Sequence, residues 1–182
     1  MIRQYNQETD QKAVRYVCHA SSTTPAHKAS LRLVCLLYAD YYLAQDKQHA
    51  FVATDEFDKP IGYVLCATDF QKYASIYPTY MADAKKENLK DFLLAKKVLK
   101  KSAEVAEEYP AHLQINVLPA FQGRGIGRSL VETEVARLRG EGIKGAYVVI
   151  KQSNTAALAF FERLGFAKIL THRKFNILGL KI

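Results

Sequence analysis

The stretch Gln122-Gly123-Arg124-Gly125-Ile126-Gly127 is where the sequence most plainly offers chemistry. Three glycines alternate where a strand pattern gives way to a helical one, so no side chain blocks the backbone there. A helix start presents N–H groups without intrahelical acceptors, together with the positive end of the helix dipole. That combination suits a pyrophosphate. Arg124 and Arg128 add positive charge beside it.

Other phosphate loops fit poorly. No Gly-Lys-Ser/Thr follows, which excludes a P-loop. A Rossmann fingerprint opens its first βαβ unit and is followed by an acidic residue after the next strand. Here the loop comes late, and Tyr147 to Lys151 brings no acid.

The loop must be positioned by the elements around it. Ala111 to Leu118 alternates Leu113, Ile115 and Val117 with His112, Gln114 and Asn116, which predicts a half-buried strand ended by Pro119. From Gly125 the pattern is helical until Gly140 and Gly142. Ala146 to Ile150 reads as a strand. Asn154 is placed to cap a helix reaching Leu164, with Gly165 as its stop. Ala167–Leu170 and Lys174–Leu178 are weaker strands. Upstream, Ile2–Tyr5 is a short strand and Gln7–Ala20 a helix. Pro25 breaks the chain, and Lys28–Gln45 is helical again. Ala50–Thr54 and Ile61–Thr68 pair as a hairpin. The segment 69–110 fits this alternation badly. Its second part, Asp83–Glu108, is rich in Lys, Glu, Ala and Leu and predicts one long surface helix.

Composition bounds the rest. The 182 residues suffice for one domain, 1–182, with its own core, and 49% are hydrophobic. A net charge of +8 favours anionic partners. The charges of 83–108 mix both signs, so a solvated helix face is expected there and no nucleic-acid partner. Cys18, Cys35 and Cys66 form neither a disulfide framework nor a CxxC pair, so no metal is expected and a reducing, cytoplasmic location is. The polar start and the shortness of the apolar runs predict neither a secretory leader nor a membrane span.

Gln122-x-x-Gly125-x-Gly127 resembles the Q/R-x-x-G-x-G/A signature of the GNAT superfamily of acetyl-CoA-dependent N-acetyltransferases. Asn154-x-x-Ala157-x-x-Phe160-Phe161-x-x-x-Gly165-Phe166 resembles its second signature, and Val117-x-Pro119-x-x-Gln122 its usual lead-in. The run Tyr109 to Ile115 after a helical insertion also looks like the acetyltransferase-like domain of O-GlcNAcases and its bacterial relatives. The resemblance implies an α/β fold: a mixed central sheet with helices on both faces, two splayed parallel strands holding acetyl-CoA, and a helical insertion at about 69–110 between the third and fourth core strands. It implies transfer of an acetyl group to a primary amine of a small molecule or protein. A catalytically weak acyl-CoA-binding module is the alternative, and a homodimer is left open.

By the same resemblance, the backbone of Ile115, Asn116 and Val117 would pair with the pantetheine arm. The N–H groups of Gln122, Gly123, Arg124, Gly125, Ile126 and Gly127, with Arg128 nearby, would hold the pyrophosphate. Asn154 would sit near the pantetheine, with plain helix capping as its competing role. Phe160 would line the channel, with core packing as its competing role. Two departures concern proton transfer. Phe161 stands where many relatives have a proton-donating Tyr, and Ala111 where some have a basic Glu. His112 is then the nearest titratable candidate, with an ordinary basicity suited to neutral pH. Its competing role is that of a structural strand histidine.

Overall fold

A computed structural model describes residues 1–22 and 29–182. The expected chain break at Pro25 and helix start at Lys28 lie outside the described residues. Seven strands form one sheet: β1 (Ile2–Gln4), β2 (Ala50–Thr54), β3 (Pro60–Ala67), β4 (Ala111–Val117), β5 (Gly145–Lys151), β6 (Ala167–His172) and β7 (Phe175–Lys181). Their spatial order is β1-β2-β3-β4-β5-β7-β6. Every neighbouring pair is antiparallel except β4 and β5. The central strand β3 is buried along its whole length, which explains its nearly unbroken apolar run.

Among the described residues, seven α-helices cover the two faces: α1 (Gln7–Ala20), α2 (Leu31–Tyr38), α3 (Asp40–Gln45), α4 (Phe70–Glu87), α5 (Leu89–Ser102), α6 (Ile126–Gly140) and α7 (Thr155–Arg163). On one face, Val14 and Val17 of α1, Leu33 and Val34 of α2, and Tyr73 and Tyr77 of α4 pack on Tyr63, Leu65, Tyr147 and Ile177. On the other, Leu130, Val131 and Leu138 of α6 and Phe161 of α7 pack on Val64, Cys66, Leu113 and Val148. The mixed sheet with helices on both faces is the architecture expected.

Two helix boundaries differ from expectation. The single helix expected over 83–108 is two helices, α4 and α5, and the first starts at Phe70. Its Tyr73, Tyr77, Met81 and Ala84 are buried at fourfold and threefold spacing, an amphipathic stripe obscured in the sequence by tyrosines and the internal Pro78. Asn88 separates the helices: its N–H closes α4, and its side chain accepts from Lys90 N (2.9 Å) and Asp91 N (3.2 Å) to open α5. The stretch expected as one helix to Gln45 breaks at Ala39, whose backbone leaves the helical region.

A buried ionic cluster ties α6 to the entry of β2. His49 Nδ1 meets Glu134 Oε1 at 2.9 Å, and its Nε2 meets Glu141 Oε2 at 3.2 Å. Glu134 is fully buried. Burial alone pushes His49 toward the neutral form, but the two carboxylates outweigh it and raise its basicity. Removing one member leaves a buried charge uncompensated, so His49→Ala should lower unfolding free energy by about 3–5 kcal/mol. Replacing both His49 and Glu134 by Leu should recover most of that loss in urea titrations. A single substitution that costs nothing would show the cluster to be bystander chemistry.

Candidate active site

The parallel pair β4 and β5 is joined only at its start, through Ala111 with Ala146 and His112 with Tyr147. Beyond those residues the strands part. Leu118 N bonds Ile61 O at 2.9 Å, and antiparallel alternation then turns the backbone groups of Asn116, Gln114 and His112 toward β3. Those of Leu113, Ile115 and Val117 face the gap. The expectation of three successive cofactor contacts is thereby changed. Ile115 offers its N–H and C=O to the gap, whereas Asn116 gives its own to β3 and its side chain to Tyr63 Oη at 2.6 Å. The Val117 carbonyl already accepts from Gln122 Nε2 (2.8 Å) and Ser21 Oγ (3.1 Å). Gln122 therefore anchors the glycine loop to the end of β4.

The loop has the shape that its glycines imply. Gly123 and Gly125 sit at φ +75° and +79°, the left-handed region. Gly125 is the N-cap of α6 and brings no capping side chain. The first intrahelical bond is Ser129 N to Gly125 O, at 3.1 Å. The N–H groups of Ile126, Gly127 and Arg128 are thus left to an outside acceptor. A Cβ on Gly127 would lie 3.2 Å from the Phe160 ring, so that glycine permits the close approach of α6 and α7. Arg124 bonds the Ala120 carbonyl (3.0 Å) and lies over Phe121, and Arg128 pairs with Glu132 (3.2 Å). Both guanidiniums border the loop and are engaged at its surface.

A cavity of about 220 Å³ opens on the gap. Gln114, Ile115, Asn116, Asn154 and Phe161 line it, together with Tyr73, Tyr77 and His112 from the opposite face. Of the two adjacent phenylalanines, Phe161 lines the cavity and Phe160 packs edge-on against it at 5.0 Å. Asn154 caps α7, its Oδ1 accepting from Ala157 N (3.1 Å), and the residue also borders the cavity.

His112 requires the largest revision. Its ring is 3% exposed, stacks on Tyr147 at 4.5 Å, and bonds the Tyr42 hydroxyl through Nδ1 at 2.8 Å. Burial pushes its pKa down to about 3, far from the neutral range expected of it. Tyr77 donates to the Leu37 carbonyl at 2.9 Å, and the Tyr73 ring stacks on Tyr77 at 4.7 Å and lies 5.9 Å from that of Tyr42. His112 Nε2 is buried and has no hydrogen-bond partner among the described residues, in a residue of the cavity wall. A buried polar atom left so costs about 1–3 kcal/mol unless a ligand satisfies it. Sequence reasoning missed Tyr42, Tyr73 and Tyr77. Their only signal was helical spacing, which reads as core.

Comparison with known proteins places this geometry. The model of the acetyltransferase (GNAT) family matches residues 15–166. The chain belongs to the acetyltransferase (GNAT) family. Within it, a mycothiol acetyltransferase of Streptosporangium roseum is 41% identical over 54 residues, 30% of this chain and 16% of that protein. The [ribosomal protein bS18]-alanine N-acetyltransferase of Salmonella typhimurium is 38% identical over 61 residues, 34% of this chain and 41% of that protein. The chain thus matches under half the length of these GNAT relatives. A solved structure named SsHAT superposes with a TM-score of 0.87 at 27% identity, covering 100% of this chain and 97% of that one. Among the described residues, no helix is long and apolar enough to cross a membrane.

Two predictions follow from the geometry. Gly125→Asp should abolish binding of acetyl-CoA, because a carboxylate would stand where the helix start favours an anion. Gly125→Asn, which tolerates a left-handed backbone without the charge, should keep measurable binding in calorimetry. Equal affinities for the two variants would remove the pyrophosphate from this loop. The second concerns acid stability. His112 titrates near 6.5 when unfolded and about 3 when folded, so the unfolded chain binds the extra proton between those values. Its contribution to stability is full above about pH 6.5 and is lost as pH falls toward about 3. His112→Gln should flatten the fall in stability across that window, measured by urea midpoints from pH 7 to 4. An unchanged slope would show that burial does not suppress the ring's charge.

Proposed function

We propose that this chain transfers the acetyl group of acetyl-CoA to a primary amine. The observation that carries the reading is the gap between β4 and β5, with an uncapped helix start at one side and a cavity that opens on it. The residues present fit the cofactor. The free N–H groups of Ile126, Gly127 and Arg128 suit a pyrophosphate, the Ile115 backbone suits an amide-bearing arm added like a strand, and Gly127 leaves room beside Phe160. When bound, acetyl-CoA supplies an acyl carbon already activated as a thioester.

The chain's own residues have three tasks. The gap aligns the reactants, a contribution of roughly 7–11 kcal/mol when geometry is good. His112 Nε2 accepts a hydrogen bond from the incoming amine and directs its lone pair. With a pKa of about 3 the ring orients the amine and does not store its proton, which passes to water. The amine nitrogen forms the new bond to the acyl carbon, the carbon–sulfur bond breaks, and the sulfur departs with its electron pair. Phe161 gives no proton to that sulfur, and none is obligatory, since a thiol with a pKa of about 8.5 is a competent leaving group as thiolate. The amine is that of a small molecule or of a protein. A cytoplasmic location and a homodimer belong to the same reading.

The second reading is an acyl-CoA-binding module without turnover, favoured by Phe161 and by the weakly basic His112. Release of free thiol from acetyl-CoA, measured with and without a panel of primary amines, separates the two. Amine-dependent release is expected. His112→Ala should lower kcat/KM by about the same factor from pH 6.5 to 9, because the ring does not titrate there. A deficit that shrinks at high pH would return His112 to the role of proton acceptor. Tight acetyl-CoA binding with no amine-dependent release would establish the module.

A further inference from the structure

The cavity on the gap is charged with one sign. Its lining includes Lys151 and Lys174 and, among the described residues, no Asp or Glu. Lys151 ends β5 and shares the face of Tyr147 and Val149, the face covered by α1 to α5. Lys174 sits in the turn between β6 and β7, beside Arg173 and His172. His172 is held below its ordinary basicity, first by partial burial and then by Lys97, Arg173, Lys101 and Lys174, which places the cations of the turn and of α5 in one field. Glu104 pairs with Lys101 at 2.8 Å, and Asp91 acts on Tyr38 of the cavity wall without lining the cavity itself. Among the described residues, no ion pair engages Lys97, Arg173 or Lys174.

These cations are poorly placed to serve the pyrophosphate. The glycine loop opens α6, on the other face of the sheet, with Arg124 and Arg128 beside it. Deeper in the cavity the wall is apolar and aromatic: Leu37, Tyr38, Tyr73, Leu94 and Val98. A second ammonium on the acceptor would meet like charge at the rim and no carboxylate inside. A negative group would meet Lys174 at the rim while an apolar body filled the interior. The volume, about 220 Å³, lies below the usual range of ligand pockets and suits a small molecule.

We propose that the acceptor is a small amino carboxylic acid with an apolar or aromatic body, its carboxylate held at Lys174 and its amine presented to the gap. This rests on the acetyl-transfer reading and names the acceptor class for the same site. Polyamines and other dications are thereby excluded as preferred acceptors.

The test uses three amines of one body at saturating acetyl-CoA: 2-phenylethylamine, 4-(2-aminoethyl)benzoate and 4-(aminomethyl)phenethylamine. The carboxylate should exceed the neutral amine in kcat/KM by roughly tenfold, the worth of one charge-assisted contact, and the diamine should be poorest. Lys174→Glu should invert the order through KM for the amine, with KM for acetyl-CoA unchanged. A preference for the diamine, no preference at all, or a rise confined to KM for acetyl-CoA would each overturn the proposal and leave acetyl transfer standing. Should no amine turn over, calorimetry of the three amines with the CoA complex decides. Carboxylate-selective binding lost in Lys174→Glu would keep the anionic subsite and sink the transfer reading. Absence of such binding would sink both.

Discussion

β4 and β5 run side by side at Ala111 and His112 and then give up their mutual hydrogen bonds. Backbone groups without partners are costly inside a protein, so something must keep these strands from closing. Each is held from its outer side: β4 pairs with β3 from His112 to Val117, and β5 pairs with β7 from Gly145 to Lys151. Gln122 and Ser21 then take the Val117 carbonyl and fix the open end of β4. The gap is thus a property of the whole sheet, and the glycine loop, the cavity and the buried histidine are all placed relative to it.

The sheet also places two kinds of group. At the start of α6 backbone N–H groups are left open and side chains serve the loop's shape. On the opposite face side chains from α2, α4, α5 and β4 meet at the cavity. There the Tyr42 hydroxyl meets His112 Nδ1, and the Tyr77 hydroxyl donates to the Leu37 carbonyl of α2.

The legible parts of the sequence were those governed by local rules. The bounds of α1 and β2 were read correctly: Asn6 caps α1, and a short apolar run before Asp55 marks β2. The shape of the glycine loop was legible because it is set by the backbone, and its requirement is written as Gly123, Gly125 and Gly127. The helix at Phe70 was not, because tyrosines and Pro78 carry weak helical propensity and its stripe is stabilised only by tertiary packing. The suppressed basicity of His112 depends on Tyr42, 70 residues away, and on Tyr147 stacked upon it. Even the backbone direction of Asn116 follows from the register with β3, which no single strand encodes.

The helices α4 and α5 leave the sheet at Ala67 and return at Ala111, and Ala67 lies directly opposite His112 in the β3–β4 register. In topological terms the whole excursion is an enlarged hairpin loop, with its two ends on neighbouring antiparallel strands. Loop closure becomes only slowly more unfavourable with length, so such a segment lengthens, shortens or is exchanged with little strain on the strands that carry it. The glycine loop and α6 lie beyond β4 and share none of that segment. Residues 69–110 can therefore be rewritten while the glycine loop stays as it is. The hairpin makes the aromatic wall of the cavity an exchangeable cassette on a fixed frame.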